Sequence, residues 1–155
     1  MNDRTATDYI AIHCSATHPG KDIGRAEIKK MHTDKGWSDI GYNIVIRRDG
    51  RVEIGRNLRA QGAHVRGFNG RSLGVCLVGG VSRSGAAENN FTQDQFNSLT
   101  DTLLWLDRVW PGTIIQGHRD FSPDLNNDGV ITSDEWLKEC PCFDVKEFCR
   151  QEGVR

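Results

Sequence analysis

Residues Tyr9–Cys14 read YIAIHC, a short run rich in β-formers and apolar except for its histidine. An alternating strand would carry a polar face, and this one carries almost none. The run therefore reads as a strand buried on both faces, the kind found inside a sheet with cover on each side. Outward from it, the same pattern recurs at Val75–Val78, ended by Gly79-Gly80. Tyr42–Arg47 and Arg51–Gly55 are two further strand-like runs, joined through Asp49-Gly50, a strong hairpin signal. Thr113–Gly117 is a short strand.

Helical patterns lie between these runs. Arg25–Lys35 reads as a helix stopped by Gly36. After Phe91, Thr92 and Gln95 form a capping box, and Phe96, Leu99, Leu103, Leu106 and Trp110 recur at steps of three and four. Pro111-Gly112 ends that helix. Asp144–Gln151 is a last helix with Asp144 as its N-cap and Glu147 three residues on. Strands alternating with helices, plus one hairpin, predict a single α/β domain over 1–155: a mixed central β-sheet with helices on both faces.

Composition narrows the function classes. The chain has 155 residues, 37% apolar and 26% charged, with a formal net charge of −1. That balance argues against a nucleic-acid binder, which carries a basic excess. The longest apolar run, Leu73–Val81, has nine residues, three of them Gly. It is far short of a membrane span, so no membrane insertion is expected. The first residues show no apolar core of signal-peptide length, and synthesis in the cytoplasm without a signal is expected. The five cysteines, an odd number, argue against a disulfide framework and for free thiols or a metal ligand.

His13 ends the first strand and His118 follows a later one, and residues at strand ends converge in α/β folds. Cys140 precedes Pro141, which disfavours helix at the cysteine. Two histidines and one cysteine suit a three-ligand zinc site whose fourth position is open to water. Spacing alone leaves another reading standing, in which both histidines are satisfied polar residues and Cys140 is a small core residue, since no short metal signature links them.

Longer motifs bear on that choice. IAIHCSAT (Ile10–Thr17), GWSDIGYNIVIRRDG (Gly36–Gly50), GAHVRGFNGRSLGVCLVGG (Gly62–Gly80), GHRD (Gly117–Asp120) and KECPCFD (Lys138–Asp144) follow one another along nearly the whole chain. In these the chain resembles the zinc-dependent N-acetylmuramoyl-L-alanine amidases of the phage-lysozyme type, which share a fold with peptidoglycan recognition proteins. The resemblance implies zinc ligands at His13, His118 and Cys140. It implies that Tyr42 contacts the zinc-bound water and that Lys138 steadies the negative charge of the tetrahedral intermediate. It places His64 and Asn69 on the substrate groove. The implied substrate is peptidoglycan, cut at the amide between N-acetylmuramic acid and L-alanine, as by a phage or prophage endolysin. Such an enzyme acts on the wall after release across the inner membrane, and a monomer is expected. A non-catalytic peptidoglycan-binding or regulatory interaction protein of the same fold is the rival, and such binders usually lack the ligand cysteine.

One departure from that family is plain. His118 and Cys140 stand 22 positions apart, where simple members need only a few residues. The intervening Asp124–Glu135 fits D-x-[DN]-x-[DN]-G-x5-E, the EF-hand calcium loop. Asp124, Asn126 and Asp128 take loop positions one, three and five, with Gly129 at six. The Val130 carbonyl would serve at seven, Thr132 at nine and Glu135, bidentate, at twelve. Pro123 spoils an entering helix, so a lone Ca2+ loop is expected, with an exiting helix near Ser133–Glu139 that ends by Cys140. Lys138 and Cys140 cannot both face the zinc from one regular helix, because residues two apart point in different directions.

Overall fold

The computed structural model describes residues 2–155. Its five strands are β1 (Tyr9–Cys14), β2 (Ile44–Ile46), β3 (Val52–Ile54), β4 (Ser72–Leu77) and β5 (Ile114–Gly117). They form one sheet in the order β3-β2-β4-β1-β5. β1 runs parallel to both of its neighbours, β4 and β5, and β2 runs parallel to β4. Only the β2–β3 hairpin is antiparallel, so the sheet is mixed. Three helices cover it: α1 (Arg25–Thr33), α2 (Gln93–Val109) and α3 (Val145–Glu152).

The alternation of the strands sorts side chains between two cores. Ile10 and Ile12 of β1, Ile44 and Ile46 of β2, and Leu73, Val75 and Leu77 of β4 pack on Leu99, Leu103 and Leu106 of α2 and Val145 and Cys149 of α3. The opposite face is thinner: Val45 and Val78 meet Ile28 of α1, with Ile40 and Tyr42 alongside. Helices therefore lie on both faces, two on one and one on the other. Fully burying an aliphatic side chain of this size contributes about 1.5–3 kcal/mol, so the first face supplies most of the apolar stabilisation.

Helix ends follow local chemistry. Thr92 accepts the Gln95 N–H, and the Gln95 side chain accepts the Thr92 N–H, a reciprocal capping box. The Asp144 side chain accepts the Glu147 N–H at 3.0 Å, as the N-cap reading of α3 requires. One element differs from expectation. Ser133–Glu139 does not form a helix; a 3-10 turn over Ser133–Glu135 is all that forms there. Trp136 leaves helical geometry with ψ near 124°, and the Leu137 N–H is taken by Ser122 Oγ at 3.0 Å. The exit from the loop is tied to the His118 segment rather than to its own helix. Among the described residues no helix is long and apolar enough to cross a membrane.

Candidate metal centre

His13 sits on β1 opposite Cys76 of β4, on the α1 side of the sheet, and is 1% exposed. His118 follows β5 directly and opens a short 3-10 turn, His118–Phe121, in which Asp120 accepts the Gly117 N–H. β1 and β5 are parallel neighbours, so these two strand ends bring the imidazoles together, with ring centroids 4.6 Å apart. Cys140 arrives from the far end of the inserted segment. Its carbonyl accepts the Arg119 N–H at 2.9 Å, which ties it to the His118 turn. Gly117 makes that approach possible, since a Cβ there would lie 2.7 Å from Pro141 Cδ.

One donor atom from each of His13, His118 and Cys140 lies within 4.8 Å of the others. Cys140 Sγ is 3.9 Å from His13 Nδ1, and it accepts the Cys14 backbone N–H at 3.2 Å. Burial, together with His64, His118 and Lys138 nearby, holds the His13 imidazole well below its ordinary pKa. Burial and then Lys138 take His118 down to about 4. Both imidazoles are thus neutral near pH 7, the form that binds a metal. Two neutral nitrogens and one thiol sulfur are a donor set suited to Zn2+.

Tyr42 comes from the segment before β2, with its ring centroid 5.1 Å from that of His13. Burial, then the thiols of Cys76, Cys140 and Cys14, push its phenol pKa well above the ordinary value. Lys138 lies on non-helical chain, two residues before Cys140, and lines the groove beside His118. Non-helical backbone there is free to place residues two apart on one side of the chain. His64 and Asn69 line the same groove, a cavity of about 490 Å³.

The remaining groove wall escaped the sequence reading. Trp37, Arg66, Phe121 and Leu137 line it, and Leu137 is 76% exposed. An exposed aromatic or leucine in a loop carries no local signal of the neighbours it will meet. The Cys14 N–H that meets Cys140 was equally silent, because a backbone contact leaves no trace in residue type. All five cysteines are free thiols.

The inserted loop is organised differently. Asp124 accepts the N–H groups of Asp128 at 3.2 Å and Gly129 at 2.8 Å. Glu135, 6% exposed, accepts those of Leu125 at 2.8 Å, Asn126 at 3.3 Å and Thr132 at 3.0 Å. Among the described residues, the loop carboxylates form no group of three as close as the histidine and cysteine donors.

Comparison with known proteins places this geometry. The N-acetylmuramoyl-L-alanine amidase family matches residues 3–141. The endolysin of Escherichia phage T7 is 40% identical over 148 residues, which cover 96% of this chain and 89% of that protein. The endolysin LysCS from Clostridium intestinale, an N-acetylmuramoyl-L-alanine amidase, superposes with a TM-score of 0.74 at 25% identity, over 96% of this chain and 85% of that one. Drosophila PGRP-LB shares the fold, with a TM-score of 0.66 at 20% identity, over 90% of this chain and 78% of that one. With two histidines and a cysteine brought together beside a groove, and the match running nearly end to end, the chain belongs to the N-acetylmuramoyl-L-alanine amidase family.

Proposed function

We propose that the chain hydrolyses the amide between N-acetylmuramic acid and L-alanine in peptidoglycan, as a phage or prophage endolysin, with His13, His118 and Cys140 holding one Zn2+. The observation that carries this reading is the convergence of those three donors beside an open groove. Three protein ligands leave a coordination position free. When bound, the metal supplies Lewis acidity for the amide carbonyl and lowers the pKa of water toward ~7.

The chain's own groups supply the rest. The Tyr42 phenol stays protonated, so its Oη orients the attacking water by hydrogen bonding rather than acting as a free phenolate. Lys138 lines the groove, and its Nζ is the group to donate to the carbonyl oxygen as negative charge builds there. Asn69 and His64 bound the groove where the substrate lies. A monomeric enzyme made inside the cell reaches this substrate only after release across the inner membrane. Metal analysis combined with mass spectrometry of products from purified peptidoglycan tests the reading. One zinc per chain and new L-alanine amino termini are expected. New reducing sugar ends, or cuts within the stem peptide, would overturn it.

The same proposal assigns Ca2+ to Asp124, Asn126, Asp128, the Val130 carbonyl, Thr132 and Glu135. Support comes from the full match to the loop pattern and from Glu135, whose carboxylate gathers main-chain N–H groups from both ends of the loop. The loop lies between two zinc ligands, so its order bears on where Lys138 and Cys140 sit. An ion bound only to the folded chain adds about 2.7 kcal/mol at a hundredfold excess over its Kd. Calcium titration is expected to raise the melting temperature and activity of the zinc-loaded protein. The double variant Asp124→Ala with Glu135→Ala is expected to lose that response. Identical melting and rates with and without calcium would leave the insert an acidic surface turn.

A further inference from the structure

His64 has more than a wall position. Its Nδ1 lies 2.9 Å from His13 Nε2, and the two rings meet edge to face with centroids 4.9 Å apart. His13 turns its other nitrogen, Nδ1, toward Cys140 Sγ. The contact with His64 is therefore made through the ring nitrogen other than the one that faces Cys140 Sγ.

The imidazole of His64 is held from several directions. Asn69 Oδ1 accepts the backbone N–H groups of His64 at 2.8 Å and Val65 at 2.9 Å, which clamps the segment that carries the ring. Gly74 of β4 lies beneath the ring, and a Cβ there would stand 2.7 Å from His64 Cγ. A Cβ at Gly62 would stand 2.5 Å from His64 Cδ2. Both distances are below any tolerable contact, so this ring position requires glycine at each site. Its Nε2 is sealed from solvent.

We propose that His64 is a positioning residue for the metal ligand His13: it accepts the His13 Nε2–H through Nδ1 and so fixes the tautomer and ring plane that present His13 Nδ1 to the zinc. The inference deepens the proposed function and rests on the zinc reading given there. The protons can be followed. A neutral imidazole carries one N–H. If His13 offers the lone pair of Nδ1 to the metal, its proton sits on Nε2 and is donated to His64 Nδ1. His64 then carries its own proton on Nε2, the sealed nitrogen. Ligating histidines commonly give their second N–H to a carboxylate or a carbonyl. An imidazole in that place orients the ligand without adding negative charge, so a dication with one thiolate keeps a net charge of +1 and its pull on the substrate carbonyl.

Two variants separate support from bulk. His64→Phe keeps a ring in the cradle and removes the acceptor. His64→Asn places an amide oxygen close to where Nδ1 was. Zinc affinity, measured by competition with a chelating dye in the absence of substrate, is expected to fall about 10–100-fold in His64→Phe and to recover in large part in His64→Asn. Turnover should follow kcat more than KM, because the groove keeps its shape. Long-range proton–nitrogen spectra of the zinc-loaded wild type should show His13 and His64 both as Nε2–H tautomers. Unchanged zinc affinity in His64→Phe, or a proton on His64 Nδ1, overturns the proposal and leaves the zinc reading intact. A wild-type chain that takes up no zinc overturns both. Should His64→Phe fail to fold, the tautomer measurement on the wild type decides alone.

Discussion

The two faces of the sheet are built from the same strands and do opposite things. Along β1 the side chains alternate: Ile10 and Ile12 enter the core under α2 and α3, while His13 faces the other way, toward Tyr42 and His64. β4 repeats the pattern, with Leu73, Val75 and Leu77 on the first face and Gly74 and Cys76 on the second. One face fills its space with large aliphatics. The other gives up volume at Gly74 to admit a histidine ring against the sheet. Stability and chemistry are thereby divided by a period of two, and a substitution on one face should leave the other's property nearly untouched.

The sharpest way to break that division is at the metal. Cys140→Ser is expected to cost at least a hundredfold in wall-lytic activity, while circular dichroism and melting of the zinc-free protein stay close to wild type. A variant that keeps full activity at matched zinc occupancy would remove Cys140 from the centre. Tyr42→Phe deletes one hydroxyl and keeps the ring. Turnover should fall about 10²–10⁴-fold with zinc retained, and loss of zinc instead would make Tyr42 a support for the ligands. For Lys138→Ala a loss of about 10²–10³-fold is expected, in line with a missing oxyanion donor.

On the other face the expected effect is on stability. Leu103 is fully buried among the strand aliphatics. Leu103→Ala should destabilise by about 2–5 kcal/mol in denaturant unfolding, with kcat per folded molecule unchanged. A large fall in kcat at temperatures where the variant is fully folded would show that the faces are coupled. The smallest effect is expected for Cys142→Ser. Cys142 Sγ contacts the Gly80 carbonyl at 3.3 Å and, among the described residues, belongs to no metal-donor group, so zinc content and rate should stay near wild type. If this variant is the one that loses zinc, the ligand assignment is displaced by two residues.

The legibility of these parts differs for a physical reason. The strand YIAIHC, the apolar stripe of α2, the Thr92–Gln95 capping box and the Asp144 cap were readable because each is a contact within one element. The Asp124–Glu135 pattern was readable on the same ground, its hydrogen bonds closing within twelve residues. The exit helix after it was misread, because Ser122, fifteen positions before Leu137, decides where that backbone goes.

By itself the sequence determined the nearly unbroken apolar run that buries β1 on both faces, the helix faces and their caps, the near-neutral charge, and the residue types able to bind a metal. Only the tertiary structure decided which of those types meet. Spacing left the two histidines and the cysteine open to a bland reading. Parallel pairing of β1 with β5 set His13 beside His118, and the bond from Arg119 to the Cys140 carbonyl brought in the third donor, which stands 127 positions along the chain from His13. The structure also set His64, a groove-wall residue, against the ring of His13, through two glycines whose missing side chains are visible in the sequence only as glycines. Contacts of that range depend on register, close approach and hydrogen bonds to backbone, none of which is written in the type of any single residue.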